Sequence, residues 1–180
     1  MRLGELLGLR WRDIEIKRGK LQVCQSVQED GYQFVLAEPK TTNSRRTIGL
    51  SRLAIHALRE HQARQAREKA KLGPAWDDSL DLVFPNTIGG IMIPDNLAKR
   101  SFKQFLLKAG LPNIRFHDLW HTAATLLLKQ GVNVKVVSEM LGHANVSITL
   151  RIYAHVLPDM QQEAANMADD VFGFREAEYE

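Results

Sequence analysis

Residues 116–141 decide the fold: Phe116-His117-Asp118-Leu119-Trp120-His121-Thr122-Ala123-Ala124-Thr125-Leu126-Leu127-Leu128-Lys129, then Gly131 and Val134-Lys135-Val136-Val137-Ser138-Glu139-Met140-Leu141. Phe116, Leu119, Ala123, Leu126 and Leu127, followed by Val134, Val137 and Leu141, recur at the three- and four-residue spacing of helices with one apolar face. Gly131 and Gly142 punctuate them, which predicts helices over 116–130 and 134–141. The same reading extends to helices at 95–109, 146–154 and 159–170, with stops at Gly110 and Pro158.

Toward the N-terminus the pattern changes. Leu3, Leu6, Leu7 and Leu9 predict a short amphipathic helix ending near Trp11, with no visible cap. Three strands are expected at 20–27, 32–36 and 45–50, and Asp30-Gly31 marks the hairpin turn between the first two. Ser51 is placed to cap a helix carrying Leu53, Ala54, Ala57, Leu58 and His61, which Gly73-Pro74 stops. Residues 74–95 read as a loop-rich connection with a short hairpin near 82–84 and 91–93. The fold class is mainly α (α+β): a helical body with a small three-stranded antiparallel sheet near the N-terminus, both parts sharing one core because no Gly/Ser-rich linker separates them.

Composition excludes several classes. With 44% hydrophobic and 25% charged residues, disorder, collagen and coiled coil are ruled out. The single Cys24 can form neither an internal disulfide nor a multi-thiolate metal site. No apolar run approaches the roughly 20 residues of a membrane span, and a cytoplasmic, nucleoid-associated protein is the expectation. The net charge of +3 hides an asymmetry. Residues 1–71 carry 15 basic and 8 acidic side chains, whereas 159–180 carry one basic and seven acidic. A basic body suits a polyanionic partner, because neutralising phosphates releases condensed counterions. No Gly-rich phosphate loop, zinc-ligand spacing or Gly-x-Ser-x-Gly elbow occurs.

Four stretches carry the chemistry: Arg2-Leu3-Gly4-Glu5-Leu6, Pro39-Lys40-Thr41-Thr42-Asn43-Ser44-Arg45-Arg46, His117-Asp118-Leu119-Trp120-His121, and Leu141-Gly142-His143 with Tyr153 ten residues after His143. In this order and spacing the chain resembles the tyrosine recombinase (phage integrase) family, over residues 2 to about 172. The resemblance implies the helical catalytic domain of a DNA strand-transfer enzyme acting on double-stranded DNA without metal or cofactor. Its tyrosine attacks a phosphodiester to give a 3′-phosphotyrosyl link and a free 5′-hydroxyl. Such a reaction needs fixed cationic donors around the phosphate, a proton for the leaving oxygen and a route for the tyrosine's own proton.

The resemblance assigns Arg2 as the first phosphate clamp, Lys40 as the acid for the 5′-oxygen, His117 as a general acid/base, His143 as a phosphate donor and Tyr153 as the nucleophile. Thr41, Ser44, Arg45 and Arg46 are expected to position the DNA backbone. His56, His61, His121 and His155 receive no role.

Two departures stand out. Where the family carries its second arginine, three residues after the first histidine, this chain has Trp120. Tryptophan offers one neutral N–H and no charge, so impaired strand transfer is expected. The alternative is an inactive DNA-binding or subunit-interaction remnant. The chain also starts one residue before Arg2. The expectation is a catalytic domain at 1–172, truncated at its N-terminus and lacking the DNA-gripping domain, followed by an acidic tail at 173–180. Self-association on DNA through the C-terminal helix is a further implication of the resemblance.

Overall fold

The computed structural model describes residues 1–38, 45–154 and 160–173, with the side chains of 160–164 left out. Lys40, Thr41, Thr42, Ser44, His155 and the acidic tail beyond 173 lie outside the described residues.

The elements follow in the order α1 (Leu3–Leu7), β1 (Ile14–Glu15), β2 (Lys20–Val23), β3 (Ser26–Asp30), β4 (Gln33–Ala37), β5 (Arg46–Gly49), α2 (Arg52–Leu72), α3 (Phe102–Lys108), α4 (Phe116–Lys129), α5 (Val134–Leu141), α6 (Val146–Tyr153) and α7 (Met160–Phe172). The class is mainly α with small antiparallel sheets, as expected. Among the described residues no helix is long and apolar enough to cross a membrane.

The sheet differs from its prediction in detail. The expected strand over 20–27 breaks after Val23, and its halves join different partners. β2 pairs antiparallel with both β1 and β5, while β3 and β4 form a separate hairpin. Leu21 and Val23 point into the core and Lys20 and Gln22 outward, the alternation of a half-buried strand. The break sits at Cys24-Gln25, where the Gln25 side chain donates to the Gly8 carbonyl at 2.8 Å and commits the chain to α1 instead of the sheet. In the hairpin Asp30 pairs with Gln33, so Gly31 and Tyr32 make the turn, with Gly31 at φ +60°. α1 is shorter than expected and is capped after all: the Glu5 carboxylate accepts the Arg2 backbone N–H at 2.8 Å. Gly4 is needed because β3 lies on this helix, and a Cβ there would stand 2.6 Å from the Val27 carbonyl oxygen.

Ser51 caps α2, its hydroxyl accepting the Ala54 N–H at 3.2 Å. The short hairpin expected within 74–95 does not form. Leu82 instead bridges to Arg10, and Val83 donates its N–H to the Leu9 carbonyl at 2.8 Å. The Asn86 side chain satisfies the backbone of the turn that follows, accepting from Ile88 and Gly90 and donating to Ile91.

One shared core was expected, and two clusters are found. Leu9, Leu21, Val23, Ile48 and Val83 form the first; Ala124, Leu128, Val137, Leu141 and Tyr153 form the second. On α4 the buried stripe runs through Ala124 and Leu128, leaving the expected core residues Leu119 and Leu126 exposed at 43% and 57%. Apolar residues cover so much of this helix that periodicity alone does not settle its rotation. Between the clusters lies an apolar cleft of about 380 Å³ lined by Leu3, Ile48, Phe116, Ala123, Leu127 and Met140.

A buried ion pair fastens this seam. Arg46 on β5 meets Glu5 on α1 with two hydrogen bonds of 2.9 and 2.7 Å, and its Nε donates to the Met140 carbonyl at 3.2 Å. Gly142 ends α5 at φ +70°, and a Cβ there would lie 2.7 Å from Arg46 Nη1. Gly142→Ala is therefore expected to destabilise the protein by at least the 1–2 kcal/mol or so of a left-handed non-glycine residue, with displacement of Arg46 adding to it. Urea unfolding checks this, and an unchanged midpoint would contradict it.

Candidate active site

Each side chain in question is positioned by local structure. Arg2 precedes the first turn of α1, its backbone tied to Glu5, and its exposed guanidinium reaches across to donate Nη2 to the Gly142 carbonyl at 3.1 Å. Burial alone would raise the Glu5 carboxyl, but the hydrogen bonds from Arg46 and from the Arg2 backbone outweigh it and hold its pKa below the ordinary value.

Gly142 closes α5 in the left-handed conformation, its N–H bonded to Glu139 and that of His143 to Ser138, and this turn aims His143 away from the helix. The His143 ring is then fixed from α6, where Nδ1 meets the Thr149 hydroxyl at 2.7 Å. Thr149 is fully buried, so the ring is anchored to the packed interior. One helical turn beyond Thr149, and on the same face, stands Tyr153.

α4 supplies the opposite wall. His117 stacks on Trp120 with centroids 4.9 Å apart at 22°, and Trp120 meets the edge of His143 at 5.3 Å and 74°. Trp120 Nε1 is buried with no hydrogen-bond partner among the described residues. Tyr153 is 2% exposed, packed with Ala124, Leu128, Val137 and Leu141, and its hydroxyl lies 2.8 Å from His121 Nδ1.

Arg2, His117, Trp120, His143 and Tyr153 thus come from four separate elements to one locality. Desolvation lowers the pKa of His117, helped by His121 and Arg115; desolvation also lowers that of His143, helped by Arg2 and His121. The lowering favours the neutral imidazole at both positions, which donates one N–H and accepts at the other nitrogen. Burial raises the Tyr153 pKa, so its phenol holds its proton firmly and needs an acceptor before it can act as a nucleophile.

Other expected residues stand elsewhere. Arg45 is exposed beside the undescribed stretch and pairs with Glu38 at 2.7 Å. Arg46, expected at the DNA backbone, has a side chain only 9% exposed and spends all three nitrogens inside the protein. Arg115 is tied to Asp118, whose carboxylate also takes the Arg115 backbone N–H at 2.8 Å, so it does not stand in for the arginine missing at 120. His121 belongs to the site, although the family resemblance gives it no role. Its position four residues after His117, on the same face of α4, was the available signal. Among the described residues no group of three His, Cys, Asp or Glu side chains is placed to hold a metal ion.

The profile of the phage integrase family matches residues 1–160. A XerC-like tyrosine recombinase of Caldanaerobacter subterraneus subsp. tengcongensis is 39% identical over 96% of this chain and 46% of the relative. The ICEBs1 integrase of Bacillus subtilis is 30% identical over 95% of this chain and 46% of the relative. Among solved structures, the Tn1549 transposon integrase in complex with transposon right end DNA shares the fold at a TM-score of 0.75 and 22% identity, covering 93% of this chain and 54% of that one. The XerH site-specific recombinase bound to palindromic difH substrate, a post-cleavage complex, gives 0.62 and 26%, covering 94% and 42%. The chain spans about half the length of the curated relatives it matches.

Proposed function

Since the chain belongs to the phage integrase family of tyrosine recombinases, we propose that it cleaves and rejoins double-stranded DNA through a 3′-phosphotyrosyl link on Tyr153, at a rate lowered by Trp120. The observation that carries this reading is the meeting of Arg2, His117, His143 and Tyr153 around Trp120, joined by the Arg2–Gly142, His143–Thr149 and His121–Tyr153 hydrogen bonds. Arg2 supplies a fixed positive charge for the non-bridging oxygens, and the two neutral imidazoles supply N–H donors. Lys40 is the candidate acid for the departing 5′-oxygen. The similarity to the Tn1549 integrase in complex with transposon right end DNA and to XerH bound to its difH substrate supports duplex DNA as the partner. Thr41, Ser44 and Arg45 belong to the same reading as backbone contacts, and Arg46 becomes a positioning residue that holds Glu5 and so Arg2. The exposed Met167, Val171 and Phe172 on α7 favour contact with a neighbouring subunit on DNA.

The second reading, a binding module that retains the fold without the reaction, draws on the Trp120 N–H, which has no hydrogen-bond partner among the described residues. A nicked suicide duplex distinguishes the two. Wild type is expected to form a slow, denaturant-stable protein–DNA adduct that Tyr153→Phe abolishes, with duplex binding by gel shift unchanged. An adduct that persists in Tyr153→Phe would refute the assignment of the nucleophile. No adduct in either wild type or Trp120→Arg, with binding intact, would favour the binding module.

A further inference from the structure

We infer that His121 is the group that takes the phenolic proton of Tyr153 when its oxygen attacks the scissile phosphate; the inference rests on the strand-transfer reading above. The nucleophile is buried, and burial holds its proton on. A base must therefore lie within hydrogen-bond reach of the hydroxyl, and among the described residues three imidazoles are nearby. His143 has Nδ1 engaged by Thr149 at 2.7 Å. His117 stacks on Trp120 and has no hydrogen bond to Tyr153 among the described residues. His121 alone of the three touches the reacting atom, with Nδ1 2.8 Å from Oη.

The surroundings of His121 fit the task. Its ring lies in T-shaped contact with His117 at 4.8 Å and with Trp120 at 5.0 Å, so the imidazole that touches the tyrosine hydroxyl also touches two other residues of the site. Nε2 has no hydrogen-bond partner among the described residues, which leaves it free to carry the ring's proton while Nδ1 accepts. The Oη–P bond forms and the P–O5′ bond breaks; the phenolic proton passes to His121 Nδ1, giving an imidazolium, and the 5′-oxygen takes a separate proton from the leaving-group acid. Rejoining runs the same transfers backward, with His121 returning its proton to the departing tyrosine.

Two measurements test this. In the protein alone, nitrogen-15 NMR of His121 is expected to find Nδ1 unprotonated and correlated with a slowly exchanging hydroxyl proton, a correlation lost in Tyr153→Phe. A protonated Nδ1, or a signal indifferent to Tyr153→Phe, overturns the proposal. In the second, His121→Asn places an acceptor near the position of Nδ1 but cannot hold a proton. On a suicide duplex it is expected to slow adduct formation about 100-fold or more, in both the wild-type and Trp120→Arg backgrounds. The loss should be the same when the bridging 5′-oxygen is replaced by sulfur, whose departure needs no acid, and DNA binding should be unchanged. A His121→Asn rate within about fivefold of its parent, or rescue by the sulfur substrate, overturns the proposal while leaving the strand-transfer reading intact. Absence of adduct from both parents removes that reading, and this proposal with it.

Discussion

The Trp120→Arg variant is expected to form covalent adduct with a suicide duplex about 100- to 1,000-fold faster than wild type, the range associated with one preorganised donor to a developing oxyanion. The residue already stands where such a donor is wanted, between His117 and His143 at ring separations of 4.9 and 5.3 Å. What it lacks is charge and a reachable donor, because its one N–H is buried with no partner among the described residues. A guanidinium at this position would offer several N–H groups in a planar fork suited to two phosphate oxygens. The same change removes the stacked ring beneath His117 and brings a charge against the second core cluster, so stability should fall by about 1–3 kcal/mol in urea unfolding. Activity and stability moving in opposite directions is the diagnostic outcome. A rate unchanged by Trp120→Arg in a folded protein would mean that Trp120 is not what limits cleavage.

Glu5→Ala should be the most destabilising single substitution proposed, at about 3–5 kcal/mol, because it leaves Arg46 charged and buried without its partner. Both side chains of the pair are 9% exposed; the bond joins α1 to β5, and Arg46 Nε reaches from there to the Met140 carbonyl on α5. Replacing both, as Glu5→Leu with Arg46→Met, should recover much of that stability, since an apolar pair of similar volume avoids the desolvation cost. Cleavage should remain depressed in the double variant, because the Arg2 backbone loses its acceptor. The pair also sets a pH dependence. Glu5 has its pKa lowered in the folded protein, so its contribution is fully present above the unfolded glutamate value of about 4.3 and is lost as pH falls through the lower native value. Wild type should therefore lose stability below about pH 4 more steeply than the double variant. Equal slopes in urea titrations would contradict this account.

How far each feature was legible depended on the range of the interaction behind it. Ser51, Gly73 and Gly142 announce helix boundaries because a cap or a left-handed turn is decided within a few residues, and the helices begin and end there. The break between β2 and β3 was not legible: it follows from Gln25 bonding to Gly8, seventeen residues away. The rotation of α4 was equally hidden, since apolar side chains on more than one face make several phases plausible until α5 and α6 choose one. Arg46 looked like a phosphate contact because it follows a run of polar and basic residues. Its burial depends on Glu5, and no local pattern joins positions 41 residues apart.

The site divides along the same line. By itself the sequence determined the family, the mainly helical class, and the residue types that the chemistry would draw on, because spacing along one helix or turn is a covalent fact that survives any packing. Only the tertiary structure decided that His121 meets the tyrosine hydroxyl, that Trp120 packs its N–H out of reach, and that Arg46 serves Glu5. Those outcomes turn on side chains from separate elements approaching within a few ångströms, and such approaches are set by how the two clusters close on each other.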